Sequence, residues 1–294
     1  MKDNNSLLNF NGQLLTPGDD ALVFLNRALR LGDGFFETIR VIEGVPHAWP
    51  GHSARIFACC KSLSIVPQPH MDAAFLQKCI SDLLVARKTE SARLRITFFR
   101  QGEGAYRPQN NRLGFIAEAT PLSEGGFQVK DEGMLLGLYN GMPKYRSNLA
   151  AYKLLGNHVY IQAAAWAETH HYDDVLICNE AGEIIEASSS NVFVVRNGAL
   201  ITPPITSGCV GGVMRMSVIN AALEAGINCY ESTLDEKDFL NASEVFLTNA
   251  VRGISWVRSY RDKRFFHKVS DHLVSLINRR HQLVLSAWHA SNSA

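Results

Sequence analysis

The sequence predicts an α+β protein of two domains. Three observations lead there. The chain has 294 residues, 46% of them hydrophobic and only 19% charged, which is enough apolar material for two cores. Strand-like alternation and helix-like spacing share the first 120 residues. A short polar stretch, Thr-Pro-Leu-Ser-Glu-Gly-Gly over 120–126, then interrupts, and a different order of strands and helices follows. The reading assigns 1–120 to a small N-terminal α+β domain, 121–126 to a linker and 127–294 to a larger mixed domain.

The elements follow in order. Residues 7–15 read as two short strands turning at Asn11-Gly12, a hairpin signal. Glycines bracket Asp33, an alternating strand follows over 34–41, and Glu43-Gly44 turns it. Ile56, Phe57, Cys60 and Leu63 fall at helical spacing over 51–63, so His52 and Arg55 lie on a helix. Residues 71–87 form a second amphipathic helix. Residues 93–100 alternate, with Arg93, Arg95 and Thr97 on one face and Leu94, Ile96 and Phe98 on the other. A glycine-containing loop, 101–108, leads to a strand near 113–119. Beyond the linker, 127–138 reads as strand and 154–169 as a helix with Leu155, Val159, Gln162 and Trp166 along one face. Strands separated by turns fill 175–195, and Arg196-Asn197-Gly198 makes a further hairpin. A helix over 213–224 ends at Gly226, a strand spans 244–248, and a last helix spans 270–286.

Composition excludes several classes. A formal net charge of +1 offers no electrostatic footprint for nucleic acid or for an acidic membrane surface. No apolar run is long enough to span a bilayer, and Met1–Ser6 carries no secretory core, so the expected compartment is the cytoplasm. The six cysteines form no Cys-x-x-Cys pair and no zinc spacing, so they read as reduced core residues and no metal is expected. Cys209 stands apart because it lies in a glycine-rich loop.

Three features carry chemistry. Lys153 is the only Asp, Glu, Lys or Arg between Arg146 and Glu168, within Ser147-Asn148-Leu149-Ala150-Ala151-Tyr152-Lys153-Leu154-Leu155-Gly156-Asn157. Such a lysine is either a snorkelling surface residue or a desolvated amine, and a desolvated amine can form a Schiff base. Glu186 is the only charge between Glu183 and Arg196. It reads either as an exposed turn residue or as a carboxylate kept ionised by a cationic partner. Residues 207–215, Ser-Gly-Cys-Val-Gly-Gly-Val-Met-Arg, run glycines into a helix, whose N–H groups and dipole suit an anion. An amine, a carboxylate and a phosphate cradle together are what pyridoxal 5′-phosphate (PLP) requires.

The ordered motifs resemble the class IV (fold type IV) family of PLP enzymes, which includes branched-chain and D-amino-acid aminotransferases and 4-amino-4-deoxychorismate lyase. The resemblance runs through Gly32-Asp33-Gly34-Phe35-Phe36-Glu37, His52-Ser53-Ala54-Arg55-Ile56, the Lys153 segment, Glu186 to Phe193, Gly212-Val213-Met214-Arg215 and Phe246 to Ala250. It implies an α+β fold type IV architecture with a β-barrel-like core in the larger, PLP-binding domain. It also implies a homodimer with its active site between the domains. By the resemblance, Lys153 holds PLP and acts as base and acid, Glu186 pairs with the pyridine N–H, and Arg55 grips the phosphate. Ser189, Ser190, Asn191, Gly212, Val213, Met214, Thr248 and Asn249 complete the cofactor set. Cations of the first domain, Arg93, Arg95, Arg100 and Arg107, are the candidates for substrate carboxylates. Phe36, Tyr106, His158 and Ala250 are the remaining substrate-side candidates. A non-catalytic PLP-binding regulator is the remote alternative, disfavoured because lysine, carboxylate and phosphate loop are all intact.

Departures within the family favour the lyase. Branched-chain aminotransferases usually carry Thr after Gly-Ile, where this chain has Met214, and a Gly-Thr pair where it has Asn249-Ala250. They commonly have Tyr five residues after the lysine, where this chain has His158. Aminodeoxychorismate lyases are similar at Gly-(Ile/Val)-Met-Arg, at Asn-Ala and at Leu149-Ala150. The loop from Arg100 to Tyr106 is loosely similar to their Arg-x-Gly-x-Gly-x-x-Tyr pattern. Branched-chain or D-amino-acid transamination is the alternative.

Overall fold

The computed structural model describes residues 7–15, 27–122 and 125–292. The described residues divide into two compact units. One runs to Gly125 and includes Tyr152–Gly156; the other comprises Gly126–Ala151 and the chain from Asn157 onward. The division thus falls at Gly125/Gly126, inside the expected linker, of which residues 123 and 124 lie outside the described residues. The assignment of all of 127–294 to the larger domain needs correcting, because Tyr152–Gly156 packs with the first unit.

The first unit is an antiparallel six-stranded sheet with helices. Its strands are β1 (Leu8–Phe10), β2 (Gln13–Leu15), β3 (Gly34–Ile42), β4 (Val45–Pro46), β5 (Ala92–Arg100) and β6 (Leu113–Pro121), in the order β2-β1-β6-β5-β3-β4. Asn11 and Gly12 turn β1 into β2 with φ of 52° and 95°, the left-handed pair a two-residue hairpin needs. A short helix, α1 (Arg27–Leu31), precedes β3. Helices α2 (Trp49–Ser62) and α3 (Ala73–Ala86) contribute Ile56, Cys60, Leu76, Ile80 and Leu83 to a core with Ile39, Leu94, Ile96 and Phe98. The parity expected for β5 holds: Leu94, Ile96 and Phe98 are buried, whereas Arg93, Arg95 and Thr97 occupy the other face.

The second unit is built on one nine-stranded sheet. Its strands are β7 (Met134–Leu138), β8 (Asp174–Cys178), β9 (Ile184–Ala187), β10 (Asn191–Arg196), β11 (Ala199–Thr202), β12 (Cys229–Glu231), β13 (Glu244–Asn249), β14 (Gly253–Tyr260) and β15 (Lys263–Arg264). The order is β12-β11-β10-β13-β14-β7-β8-β9, with β15 on β14. The order forces the sheet to curl. β9 and β10 are five strand steps apart along the sheet, about 24 Å if it were flat. Residues 188–190 alone join them, and the chain from Ala187 to Asn191 spans at most about 14 Å. The two strands therefore come together, and Ala187 N donates to Ser190 O at 2.7 Å. This is the barrel-like core expected of the larger domain.

Helices α4 (His158–Thr169), α5 (Val213–Glu224), α6 (Glu236–Leu240) and α7 (Lys268–Asn292) complete this unit. Two expectations need correction. Strand occupies only Met134–Leu138 of 127–138, and the first helix begins at His158 rather than at 154. With the later start, the buried stripe is Val159, Ala163 and Ala167, and Gln162 faces outward.

Candidate active site

In the first unit the site begins at the edge of β3. β4 covers only Val41 and Ile42, which leaves the Gly34–Phe36 edge for another segment. Lys153 and its neighbours take it. Phe36 N donates to Lys153 O at 2.8 Å, and Leu155 N donates to Gly34 O at 3.0 Å. Gly34 sits between β5 and this segment: a Cβ there would stand 2.2 Å from Phe98 O and 3.0 Å from Leu155 Cδ1. Lys153 Nζ lies 5.6 Å from the centre of the Phe36 ring, and the Arg95 guanidinium carbon lies 4.0 Å from the same centre. One aromatic ring therefore has the amine and an arginine as neighbours. Burial lowers the Arg95 pKa, Glu118 opposes that, and Arg93 adds to it. An anion placed here would gain from both guanidinium groups.

The opposite parity of β3 holds a second cluster. Glu37 is buried, and Arg55 donates to it from Nε (2.7 Å) and Nη2 (2.6 Å). His52 Nδ1 lies 2.7 Å from Glu37 Oε2. Burial alone would raise the Glu37 pKa, but the Arg55 charge and the hydrogen bonds from His52 and Arg55 outweigh it and hold it at about 2. An ionised carboxylate only accepts, so His52 is the donor. Burial lowers the His52 pKa against the pull of Glu37, with Arg55 and Lys153 adding to the lowering.

In the second unit Glu186 is 2% exposed, on β9. Lys144 Nζ donates to Oε1 at 2.7 Å, Tyr160 Oη donates to Oε1 at 2.6 Å, and Val210 N donates to Oε2 at 3.0 Å. A carboxylate offers about four acceptor positions. Three are filled, which leaves one for a further donor such as a ring N–H. Burial, then the Glu186 charge and hydrogen bond, push the Tyr160 phenol well above its ordinary pKa, so it stays a donor. Lys144 and Tyr160 are site residues that sequence reasoning missed. Lys144 follows Pro143 and stands near Arg146, a pattern of an ordinary surface loop.

The glycine-rich loop before α5 is tightly held. Gly211 N donates to Ala151 O, and Asn191 Nδ2 donates to Val210 O at 2.8 Å. Gly212 packs so closely on Asn191 that a Cβ would stand 2.0 Å from its Oδ1. Asn191 thus buttresses the loop. Among the described residues no side chain caps α5, and its first turn has no acidic residue, so nothing in the helix competes with an anion for the leading N–H groups of Val213 and Met214. Met214 contributes backbone only, since its side chain is buried in the core.

Near this loop, Asn249 Nδ2 donates to Ser190 Oγ at 3.1 Å, and its Oδ1 accepts from Val251 N and Arg252 N, which shapes the turn through Ala250. Arg252 Nη2 donates to Ser189 Oγ at 3.0 Å. Thr248 Oγ1 is buried and makes no hydrogen bond among the described residues. The uncapped helix start, the fourth acceptor position on Glu186 and this orphaned hydroxyl fit a phosphorylated ring with a protonated nitrogen.

Other expected residues fall elsewhere. Arg100 is buried and committed. It donates to Asp33 (3.0 Å), to Ser64 O (3.0 Å), to Leu63 O (2.8 Å) and to Asn111. It clamps the β5–β6 loop and is withdrawn as a substrate grip. Tyr106 is 94% exposed, and Arg107 and His158 are exposed as well. Cys209 is buried, and burial pushes its thiol up to about 12, so it is not a nucleophile. All six cysteines are free. Among the described residues, no helix is long and apolar enough to cross a membrane.

Sequence comparison places this chain in a class of PLP enzyme. The chain belongs to the amino-transferase class IV family, whose profile matches residues 34–260. It is 26% identical over 253 residues to the D-alanine aminotransferase of Bacillus licheniformis, covering 85% of this chain and 87% of that protein. It is 27% identical over 236 residues to the aminodeoxychorismate lyase of Vibrio harveyi, covering 78% and 84%. Among solved structures, the branched-chain aminotransferase of Thermoproteus uzoniensis with norvaline superposes with a TM-score of 0.82 at 21% identity, covering 93% of each chain. A hypothetical aminotransferase from Mycobacterium tuberculosis, solved in a PLP-bound form, superposes with a TM-score of 0.77 at 18% identity, covering 92% and 97%. Members with different reactions are thus about equally similar.

Proposed function

We propose that this chain is a cytoplasmic, homodimeric PLP enzyme that cleaves 4-amino-4-deoxychorismate to 4-aminobenzoate and pyruvate, a step toward folate. The observation that carries this reading is the pair Arg93 and Arg95 on one face of β5, with Arg95 sharing the Phe36 ring with Lys153. Two arginines suit a substrate with two carboxylates better than an amino acid with an apolar side chain. Met214 and the Asn249-Ala250 pair, where branched-chain aminotransferases usually have Thr and Gly-Thr, point the same way.

Lys153 would hold PLP, Glu186 its ring nitrogen, and Arg55 with the Val213 and Met214 N–H groups its phosphate; Gly212, Ser189, Ser190, Thr248 and Asn249 complete the cofactor set. When bound, PLP supplies an electron sink that makes the proton on the amino-bearing carbon acidic. Lys153, freed when the substrate amine takes its place, would take that proton as general base. The carbon–oxygen bond to the enolpyruvyl group breaks, the ring becomes aromatic, and the released enolpyruvate gains a proton to become pyruvate. The two arginines orient the substrate carboxylates throughout.

Amino transfer is the second reading, since a dicarboxylate amino acceptor also suits two arginines. The test offers PLP-loaded protein aminodeoxychorismate made in situ, and in parallel leucine or D-alanine with 2-oxoglutarate. Pyruvate and 4-aminobenzoate release, abolished in Lys153→Ala, supports the lyase. Amino transfer without those products overturns it.

A further inference from the structure

The proposed reaction uses Glu186 but leaves the ammonium beside it without a task. Lys144 is 5% exposed, and its Nζ donates to Glu186 Oε1 at 2.7 Å and to Ala150 O at 3.0 Å. Its charge also lies 5.2 Å from the centre of the Tyr160 ring. Taking an ammonium out of water is costly, and most lysines stay at the surface. Two neutral donors, Tyr160 Oη and Val210 N, already orient the carboxylate. A buried cation adds something that hydrogen bonding alone does not.

We infer that Lys144 is a positioning residue for the cofactor, and that its charge drives the proton shared between Glu186 and the ring nitrogen of PLP onto the nitrogen. The inference rests on the PLP reading above. A carboxylate and a pyridine share one proton in two ways. With the proton on oxygen, both groups are neutral. With the proton on nitrogen, they form an ion pair. A dry site by itself favours the neutral arrangement, because burial penalises separated charge. A fixed cation reverses the balance. It already touches the carboxylate oxygen at 2.7 Å, so it attracts the carboxylate more strongly than it would repel a ring cation bound beyond that carboxylate. Arg215, a second buried cation whose charge also reaches Cys209, donates to Pro203 O and Glu231 rather than to Glu186. The Tyr160 phenol stays protonated, and the Cys209 thiol, pushed up by burial, stays neutral. The chemical consequence is a stronger electron sink, since a protonated ring draws electrons from the reacting carbon more effectively.

The experiment loads the full-length protein with PLP whose ring nitrogen carries the NMR-active isotope and reads the nitrogen chemical shift at neutral pH. Native protein and Lys144→Arg are expected at the protonated position. Lys144→Met and Lys144→Gln are expected to lose that signal and move to the unprotonated position. Glutamine keeps a donor for Glu186 and Ala150 without the charge, so it carries the test if the methionine variant does not fold. Tyr160→Phe is expected to retain the protonated signal. A protonated nitrogen in Lys144→Gln, or an unprotonated one in the native protein, overturns the inference. So does a Tyr160→Phe variant that loses the signal as fully as Lys144→Met. Failure of the underlying reading looks different: native protein would take up no PLP, and borohydride would fix no pyridoxyl group on Lys153.

Discussion

Glu37 gives both carboxylate oxygens to Arg55, which donates from Nε at 2.7 Å and from Nη2 at 2.6 Å. The pair is 18 residues apart in sequence, one partner on β3 and the other on α2. A bidentate fork fixes the plane of the guanidinium as well as its position. The fork holds in one orientation the arginine proposed above to grip a phosphate. Arg55→Ala is expected to weaken PLP binding and to lower stability by about 3–5 kcal/mol, since a buried carboxylate loses its partner. Urea unfolding of the PLP-free protein separates the two effects. Unchanged stability would mean that His52 alone satisfies Glu37.

Acid should expose the same pair. The Glu37 carboxyl is held at about 2 against an ordinary 4.5. A depressed carboxylate contributes stability that is fully present above the unfolded value and is lost as pH falls toward the folded one. Unfolding free energy is therefore expected to drop by on the order of 3 kcal/mol through that window. Glu37→Gln should start less stable and show a flatter profile over the same range. Equal slopes for the two proteins would contradict this account.

Arg95 and Arg100 should separate cleanly although they share a strand. Arg95→Ala removes a guanidinium beside the Phe36 ring and is expected to raise KM for a carboxylate substrate by about 10–100-fold, the worth of one charge-assisted contact. Arg100→Ala removes a clamp on Asp33, Leu63, Ser64 and Asn111, and is expected to lower stability by about 3 kcal/mol with KM little changed. Steady-state kinetics beside thermal unfolding reads both. An Arg95→Ala enzyme with native KM removes that residue from the substrate grip.

Gly212→Ala forces a Cβ to within 2.0 Å of Asn191 Oδ1. The expected cost is about 1–3 kcal/mol, with weaker PLP binding as the helix start shifts. Adding Asn191→Ala makes room for the methyl group, so the double variant should lose less than the sum of the two single variants. Simple additivity would show that the two side chains do not compete for the same space.

Much of the fold was legible in local pattern. Alternation along β5 separates Arg93, Arg95 and Thr97 from Leu94, Ile96 and Phe98, and the structure keeps that division. Asn11-Gly12 and Asn197-Gly198 turn where their left-handed preference places them. The position of Glu37 carries a signal of its burial. It shares the parity of Phe35, Ile39 and Val41, so a strand that buries those must also bury a charge and find it a partner.

Sequence by itself determined the strands, the turns, the helix behind the glycine loop, and the isolation of Lys153 and Glu186 from other charges. Local spacing carries these because each depends on neighbours a few residues away. Tertiary structure decided the rest. It delivered Lys144 to Glu186 across 42 residues, turned Arg100 inward to clamp a loop, and placed Lys153 on the free edge of β3. Those outcomes depend on sheet order and on which buried groups need a partner. A cation reads the same in sequence whether it ends in water or against a carboxylate; only the folded packing supplies the desolvation and the partner that distinguish the two.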